Sequence, residues 1–300
     1  MTGSITILDG SMGDELDRRR PPDVNDPAGL FSARALINSP ELVTEVHNDY
    51  IDAGADIITT NTYSTIPSYL SRASLGDSYL KYTELAGQIA CSSAMDSRST
   101  VLVAGSIPPL DESYRHDLVP HPSYALPVYR NIVTALDDYV DMFICETMSS
   151  SIEAENAMTA IRSISGKTKP VWVSWTLSEH PGQGLRSGES IKEAYQAIES
   201  LDADAFLFNC TAPEAITRGL KELTQLTKKP IGGYPNRDSV PEGWTIENDK
   251  EIKRYDLPLE AFQEYADNWR DIGATIIGGC CGIGPEYIDH LTKSLERGHD

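Results

Sequence analysis

The chain has 300 residues, 40% of them hydrophobic, with 25 Lys+Arg against 45 Asp+Glu. The resulting net charge of −20 argues against a nucleic-acid binder, which needs a basic face, and against a surface held to anionic lipid. Neither a basic, apolar leader nor the roughly 20 apolar residues of a membrane span is present, so a cytoplasmic protein is expected.

Short apolar runs alternate with amphipathic stretches from end to end. Eight strands are predicted: Ile5–Leu8, Asp56–Thr60, Val101–Ala104, Met142–Cys145, Val171–Trp175, Ala205–Phe208, Pro230–Gly233 and Thr275–Gly278. Their continuous apolar character is that of parallel strands buried on both faces. Between them lie helical patterns. Val43, Val46, His47 and Tyr50 form a stripe behind Ser39-Pro40, a helix start with proline at the first position. Ser150 and Glu153 have the spacing of a capping box. Phe262, Tyr265, Ala266 and Trp269 form a further stripe. Eight β/α alternations in one chain of this length predict a single α/β domain over residues 1–300, a (β/α)8 TIM barrel. A doubly wound sheet is the alternative, but the first turn, Asp9 to Asp14, is too acidic for a pyrophosphate and no Walker motif is present.

Four irregular stretches, Arg18–Ser39, Ser106–Pro122, His180–Gly188 and Tyr234–Lys253, each follow a predicted strand. In a barrel they build the active-site face. Polar residues also collect at strand ends: Asp9-Gly10, Thr60-Asn61-Thr62-Tyr63, Cys145-Glu146-Thr147, Asn209-Cys210-Thr211, Tyr234-Pro235-Asn236 and Gly278-Gly279-Cys280-Cys281-Gly282.

Five cysteines fit poorly with paired disulfides, and clustered cysteines in a cytosolic chain point to metal or catalysis. Cys210 and the Cys280-Cys281 pair are too far apart in sequence for a local zinc knuckle, but a barrel brings strands six and eight within reach. Three thiolates would then hold a zinc ion (Zn2+) with one position open, the pattern of a catalytic site. The alternative is two buried cysteines and a strained vicinal pair. Cys91, in a helical stretch, and Cys145, at a strand end, read as small core residues.

These residues resemble the homocysteine S-methyltransferase family. The resemblance runs from Ile7 to Ile288 through ILDGSMGDEL (7–16), DPAGLFSARAL, AGADIITTNTY (53–63), CETMSSSIEAENA (145–157), FNCTAPEAI (208–216), GGYPN (232–236) and IGGCCGIGPEYI (277–288). The NC and GGCC pair, in that order, is its most specific part. The resemblance implies a (β/α)8 barrel whose zinc is bound by Cys210, Cys280 and Cys281, with homocysteine sulfur at the fourth position. It places Glu146 at the substrate ammonium, assisted by Asp9, with Gly10, Thr60, Asn61 and Asn209 lining the substrate pocket. It implies small-molecule substrates, homocysteine and a cationic sulfonium such as S-methylmethionine or S-adenosylmethionine. Methyltransfer to another thiol or selenol, such as selenocysteine, and a non-catalytic zinc- or amino-acid-binding barrel are the alternatives. Asp9 could instead close an Asx-turn, and Glu146 could pair with a buried lysine. The chain departs from the family pattern at Ser11 and Asp14 in the first turn, in the proline-rich loop after strand three, and at Arg186-Ser187. Because it stops at Asp300, no appended folate or cobalamin domain is expected. Oligomeric state leaves no signature.

Overall fold

The computed structural model describes residues 5–20, 29–245, 248 and 250–297. Residues 21–28 of the first irregular stretch, the DPA of DPAGLFSARAL among them, and 246, 247 and 249 of the last lie outside the described residues.

Eight parallel strands form one sheet: β1 (Thr6–Ile7), β2 (Ile57–Thr59), β3 (Leu102–Ile107), β4 (Met142–Met148), β5 (Val171–Trp175), β6 (Ala205–Asn209), β7 (Ile231–Tyr234) and, after a small hairpin of β8 (Asp238–Ser239) and β9 (Lys253–Arg254), β10 (Ile276–Ile277). Each strand pairs with its sequence neighbour, and β10 pairs with both β7 and β1. A parallel bridge from Leu8 to Ile57 joins β1 to β2, with Asp56 N–H donating to the Ile7 carbonyl at 2.8 Å and Asp9 N–H to the Ile57 carbonyl at 3.0 Å. The barrel reading therefore holds, and the doubly wound sheet does not.

Side-chain alternation divides the strands between two cores. Leu8, Ile57, Ala104, Met142, Ile144, Ala205, Leu207 and Ile276 fill the barrel interior. Phe143, Cys145, Val173, Trp175, Phe206 and Phe208 face the outer helices. Period two then sends Glu146, next in register after Met142 and Ile144, towards the C-terminal mouth.

Helices follow every barrel strand. Val43, Val46, His47 and Tyr50 are all fully buried on the helix Pro40–Asp52. Phe262, Ala266 and Trp269 are buried as expected, with Tyr265 half-buried beside them. The predicted capping box is half correct. Ser150 Oγ accepts from the Glu153 N–H, but the Glu153 carboxylate turns to the N–H and hydroxyl of Ser149, at 2.7 and 2.8 Å. The complete box is Ser190 with Glu193. Cys145 is a core residue, whereas Cys91 is only half-buried. Among the described residues, no helix is long and apolar enough to cross a membrane.

His47 gives this packing a measurable consequence. Both ring nitrogens are buried without a hydrogen-bond partner among the described residues, and burial pulls its pKa down from 6.5 to about 4. Below about pH 6.5 the unfolded chain binds a proton that the folded chain refuses, so stability is lost as pH falls from about 6.5 towards about 4. Between pH 7 and pH 5 this single group is expected to remove about 2 kcal/mol. Urea unfolding of the wild type and of His47→Leu at both pH values checks it: the variant should lose less stability than the wild type, and equal losses would refute the assignment.

Candidate metal and substrate site

A cavity of about 520 Å3 opens at the C-terminal mouth of the barrel, lined from the ends of β1, β2, β4, β6, β7 and β10 and from the loops after β1, β3 and β7. Its floor carries the three cysteines. The ligand sulfurs of Cys210, Cys280 and Cys281 all lie within 4.8 Å of one another. Cys210 and Cys280 are in disulfide contact, with 5.7 Å between their Cα atoms, and Cys281 is a free thiol.

Local structure explains this convergence. Cys210 stands just past β6 in the left-handed region (φ 49°), a conformation that costs a non-glycine residue about 1–3 kcal/mol. Thr176 and Thr211 hold the turn: the Thr176 hydroxyl donates to the Cys210 carbonyl at 3.3 Å, and Thr211 Oγ1 accepts the Leu177 N–H at 2.9 Å. Past the end of β10 the glycines around the pair have separate reasons. A side chain at Gly279 would run into Ile283, and Gly282 turns left-handed at φ 80°.

Burial, reinforced by the Asp14 and Asp238 carboxylates, pushes the Cys281 thiol well above its ordinary range. Without a cation at the site it stays protonated at neutral pH, and a bound metal reverses that preference. The donor set suits zinc: with Zn–S bonds of about 2.3 Å, three thiolates that converge within 4.8 Å of one another could take three corners of a tetrahedral site. Two sulfurs joined to each other offer no thiolate, so metal loading requires both in reduced form. Asn236 stands beside the Cys210 turn but does not line the cavity. Both its amide atoms are buried without a partner among the described residues, although its backbone N–H reaches the Thr211 carbonyl at 3.2 Å, next to Cys210.

The same cavity holds two carboxylates, Asp9 buried and Glu146 half-buried. Glu146 accepts a short hydrogen bond from Ser106 Oγ and one from the Tyr234 hydroxyl at 3.5 Å. Burial raises its pKa from 4.5 to about 6. Asp9 accepts from the Thr59 N–H at 2.7 Å and its hydroxyl at 3.0 Å. Burial, partly offset by Thr59 and reinforced by Glu146, raises it from 3.8 to about 8. Among the described residues no lysine or arginine pairs with either, so the ion-pair alternative for Glu146 does not hold. Nor does Asp9 close its own turn, since its oxygens tie β1 to β2.

The other expected pocket residues divide. Gly10, Thr60 and Asn61 line the cavity. Gly10 has no room for a side chain against Ile283 and Tyr50. Thr60 Oγ1 accepts the Ser106 N–H at 3.0 Å, and Asn61 Nδ2 donates to the Ser32 carbonyl at 3.1 Å. Asn209 is not at the cavity wall. Its amide oxygen accepts from the Thr147 N–H and the Ser174 hydroxyl at 2.8 and 2.7 Å, and its NH2 donates to Thr147 Oγ1 at 2.8 Å. It braces Thr147, itself left-handed at φ 59°, immediately behind Glu146.

The cavity also has an aromatic wall, Phe31, Tyr63, Tyr69, Tyr114 and Trp244, of which only Tyr63 stood among the strand-end residues read from the sequence. Tyr114 and Trp244 meet edge to face at 6.4 Å. Arg186, one of the family departures, is buried behind them. It pairs with Glu179, donates to the Val240 carbonyl at 2.9 Å and stands 4.9 Å above the Tyr114 ring. It thereby joins the loops after β3, β5 and β7.

Residues 6–295 match the homocysteine S-methyltransferase family. The chain belongs to that family. It is 32% identical to homocysteine S-methyltransferase 3 of Arabidopsis thaliana over 98% of this chain and 90% of that protein. It is 30% identical to a selenocysteine Se-methyltransferase of Brassica oleracea var. italica, again over 98% and 90%. Among solved structures it resembles the metallated form of the homocysteine methyltransferase MmuM of Escherichia coli, with a TM-score of 0.78 and 26% identity over 97% of this chain and 96% of that one. Membership makes this barrel a methyltransferase.

Proposed function

We propose that this chain transfers a methyl group from a sulfonium donor, S-methylmethionine or S-adenosylmethionine, to the sulfur of L-homocysteine, giving methionine. The observation that carries the reading is one cavity with three cysteine sulfurs on its floor and two unpaired carboxylates on its wall. An amino acid with a side-chain thiol presents complementary groups to both.

In this reading Cys210, Cys280 and Cys281 hold Zn2+ and leave one position for the acceptor sulfur. Bound zinc supplies the acidification that turns a thiol of ordinary pKa near 8.5 into a thiolate at neutral pH. Glu146 and Asp9 take the ammonium through charge-assisted hydrogen bonds, and Gly10, Thr60 and Asn61 shape the wall beside them, with Asn209 supporting from behind. Fixing both ends of the acceptor leaves its sulfur pointed at the aromatic side of the cavity, where the donor lies. The acceptor sulfur forms a bond to the methyl carbon as the donor's own carbon–sulfur bond breaks. The electron pair stays on the donor sulfur, which leaves as a neutral thioether and needs no acid. Alignment of the three atoms is the main contribution of the protein to this step. Residues 1–300 act as one domain, and the reduced thiols suit a cytoplasmic setting.

The test is homocysteine with a donor panel (S-methylmethionine, S-adenosylmethionine, betaine, dimethylsulfoniopropionate), with zinc measured on the same sample. Methionine is expected from a sulfonium donor. A zinc-loaded, folded sample inactive with every sulfonium sinks the proposal. The Brassica relative favours a second reading, a selenol acceptor. A higher kcat/KM for selenocysteine than for homocysteine would select it.

A further inference from the structure

The turn carrying Cys280 and Cys281 is held from outside its own strand. The Cys280 N–H donates to the Pro235 carbonyl and the Arg237 N–H to the Cys281 carbonyl, both at 2.8 Å. The next amide, that of Gly282, donates to Asp14 Oδ2 at 2.7 Å. Asp14 is itself fixed: Ser11 Oγ donates to it at 2.6 Å and Arg254 Nη2 reaches its other oxygen at 2.9 Å. Arg254 grips Asp238 with two bonds, Nε at 2.8 Å and Nη2 at 3.1 Å. Asp238 and Arg254 are also direct partners across the β8–β9 ladder.

One guanidinium thus joins the hairpin to the helix Met12–Arg19 and, through Asp14, to the peptide after Cys281. Two-bond Arg–carboxylate pairs are strong and directional, which a loose surface pair is not. Asp238 is largely shielded, at 12% side-chain exposure. Without the guanidinium, the Asp238 carboxylate would lose its two-bond partner and Asp14 would be left with the Ser11 and Gly282 donors on one oxygen. The Gly282 N–H lies in the same planar peptide as the Cys281 carbonyl, so the bond to Asp14 fixes the orientation of the peptide that leaves Cys281. Releasing that bond leaves the Cys281–Gly282 peptide held by the Arg237 N–H on its carbonyl alone, which loosens the direction in which the Cys281 sulfur points.

We infer that Arg254 and Asp14 are positioning residues for Cys281, fixing the Gly282 peptide so that the third sulfur meets Cys210 and Cys280. The inference rests on the zinc reading proposed above. Arg254 does not line the cavity, whereas Asp14 does; Arg254 acts on Cys281 through the clamp and through its positive charge, which offsets the Asp14 and Asp238 carboxylates near the thiol.

The test compares the full-length zinc protein with Arg254→Ala, Arg254→Lys, Asp14→Ala and Asp14→Asn. Zinc affinity is measured by competition with a chromophoric chelator, and the thiolate-to-metal absorption is recorded after cobalt substitution. Both alanine variants are expected to bind zinc about 10–100-fold more weakly, the range for groups that orient metal ligands, and to show altered cobalt spectra. Asp14→Asn keeps an acceptor for Gly282 and loses the charge, and Arg254→Lys keeps the charge and loses the two-bond grip. Both should fall between wild type and alanine. Melting temperatures identify any variant that fails to fold, and the two conservative variants then decide. Wild-type affinity and spectrum in folded variants overturn the inference. If the wild type binds no zinc, or Cys281→Ala binds it as tightly, the zinc reading falls and takes this inference with it.

Discussion

Cys281→Ala is expected to lose its zinc and to reduce methyl transfer to the uncatalysed background. The expectation follows from the number of donors. Three sulfurs converge within 4.8 Å, and no fourth cysteine or histidine joins them among the described residues. Removing one leaves two sulfurs that are already in disulfide contact, a pair that closes on itself more readily than on a metal. Since a structural metal is part of the folding free energy only where the fold depends on it, and this barrel has two extensive apolar cores, the variant should remain folded. Zinc per chain, methionine formation and far-ultraviolet circular dichroism on one preparation check all three statements. Cys145→Ala is the matched control, since it removes a buried thiol that faces the outer helices and should retain zinc. Full activity in zinc-free Cys281→Ala would refute the metal role of the triad.

How much of this was legible in the sequence depended on whether the signal was apolar. All eight barrel strands announced themselves, because parallel strands buried on both faces are runs of Val, Ile, Leu, Phe and Ala. The expected ends of β3 and β4 were short for the same reason. Ser106 lies within β3, and Glu146 and Thr147 within β4, so the runs looked finished before the strands were. The polar tips face the mouth, which is why polarity there marks the site and not the end of the strand. The β8–β9 hairpin left no trace, since Asp238-Ser239 and Lys253-Arg254 have no alternation and are joined by ionic hydrogen bonds. The cysteines could be grouped from topology alone, since barrel closure is what makes residues 210 and 280 neighbours. Asn209 shows the limit: its position beside Cys210 suggested a substrate contact. Period two fixes the direction of a side chain, but not the partner it finds, and Ser174 and Thr147 engage it first. Tyr114 and Trp244 belong to loops and Asp14 to the first turn of the helix Met12–Arg19, and the partners they find follow from tertiary contacts that no local pattern encodes.

Glu146→Gln is expected to lower kcat/KM for homocysteine about 10- to 100-fold while leaving zinc content unchanged. Glutamine keeps the size and can still meet Ser106 and Tyr234, so the change removes charge and little else. A hydrogen bond to a charged group contributes about 1.5–3 kcal/mol, and each 1.4 kcal/mol is tenfold in rate. The pH dependence has a definite sign. Burial holds the Glu146 pKa at about 6 in the free protein, and only the carboxylate attracts an ammonium. The wild-type kcat/KM should therefore rise as pH increases through about 6, and Glu146→Gln should lack that limb. Asp9, held near 8 by burial and by Glu146, is largely protonated at neutral pH without substrate. An arriving ammonium favours its ionised form, so Asp9 gives up its proton on binding and tightens the grip after Glu146 has set it. The glutamine variant relieves Asp9 of its like-charged neighbour, and Asp9 then keeps part of the ammonium affinity, which is why the loss stops short of the Cys281 result. A Glu146→Gln enzyme with wild-type kcat/KM and an unchanged acid limb would show that the ammonium is held elsewhere.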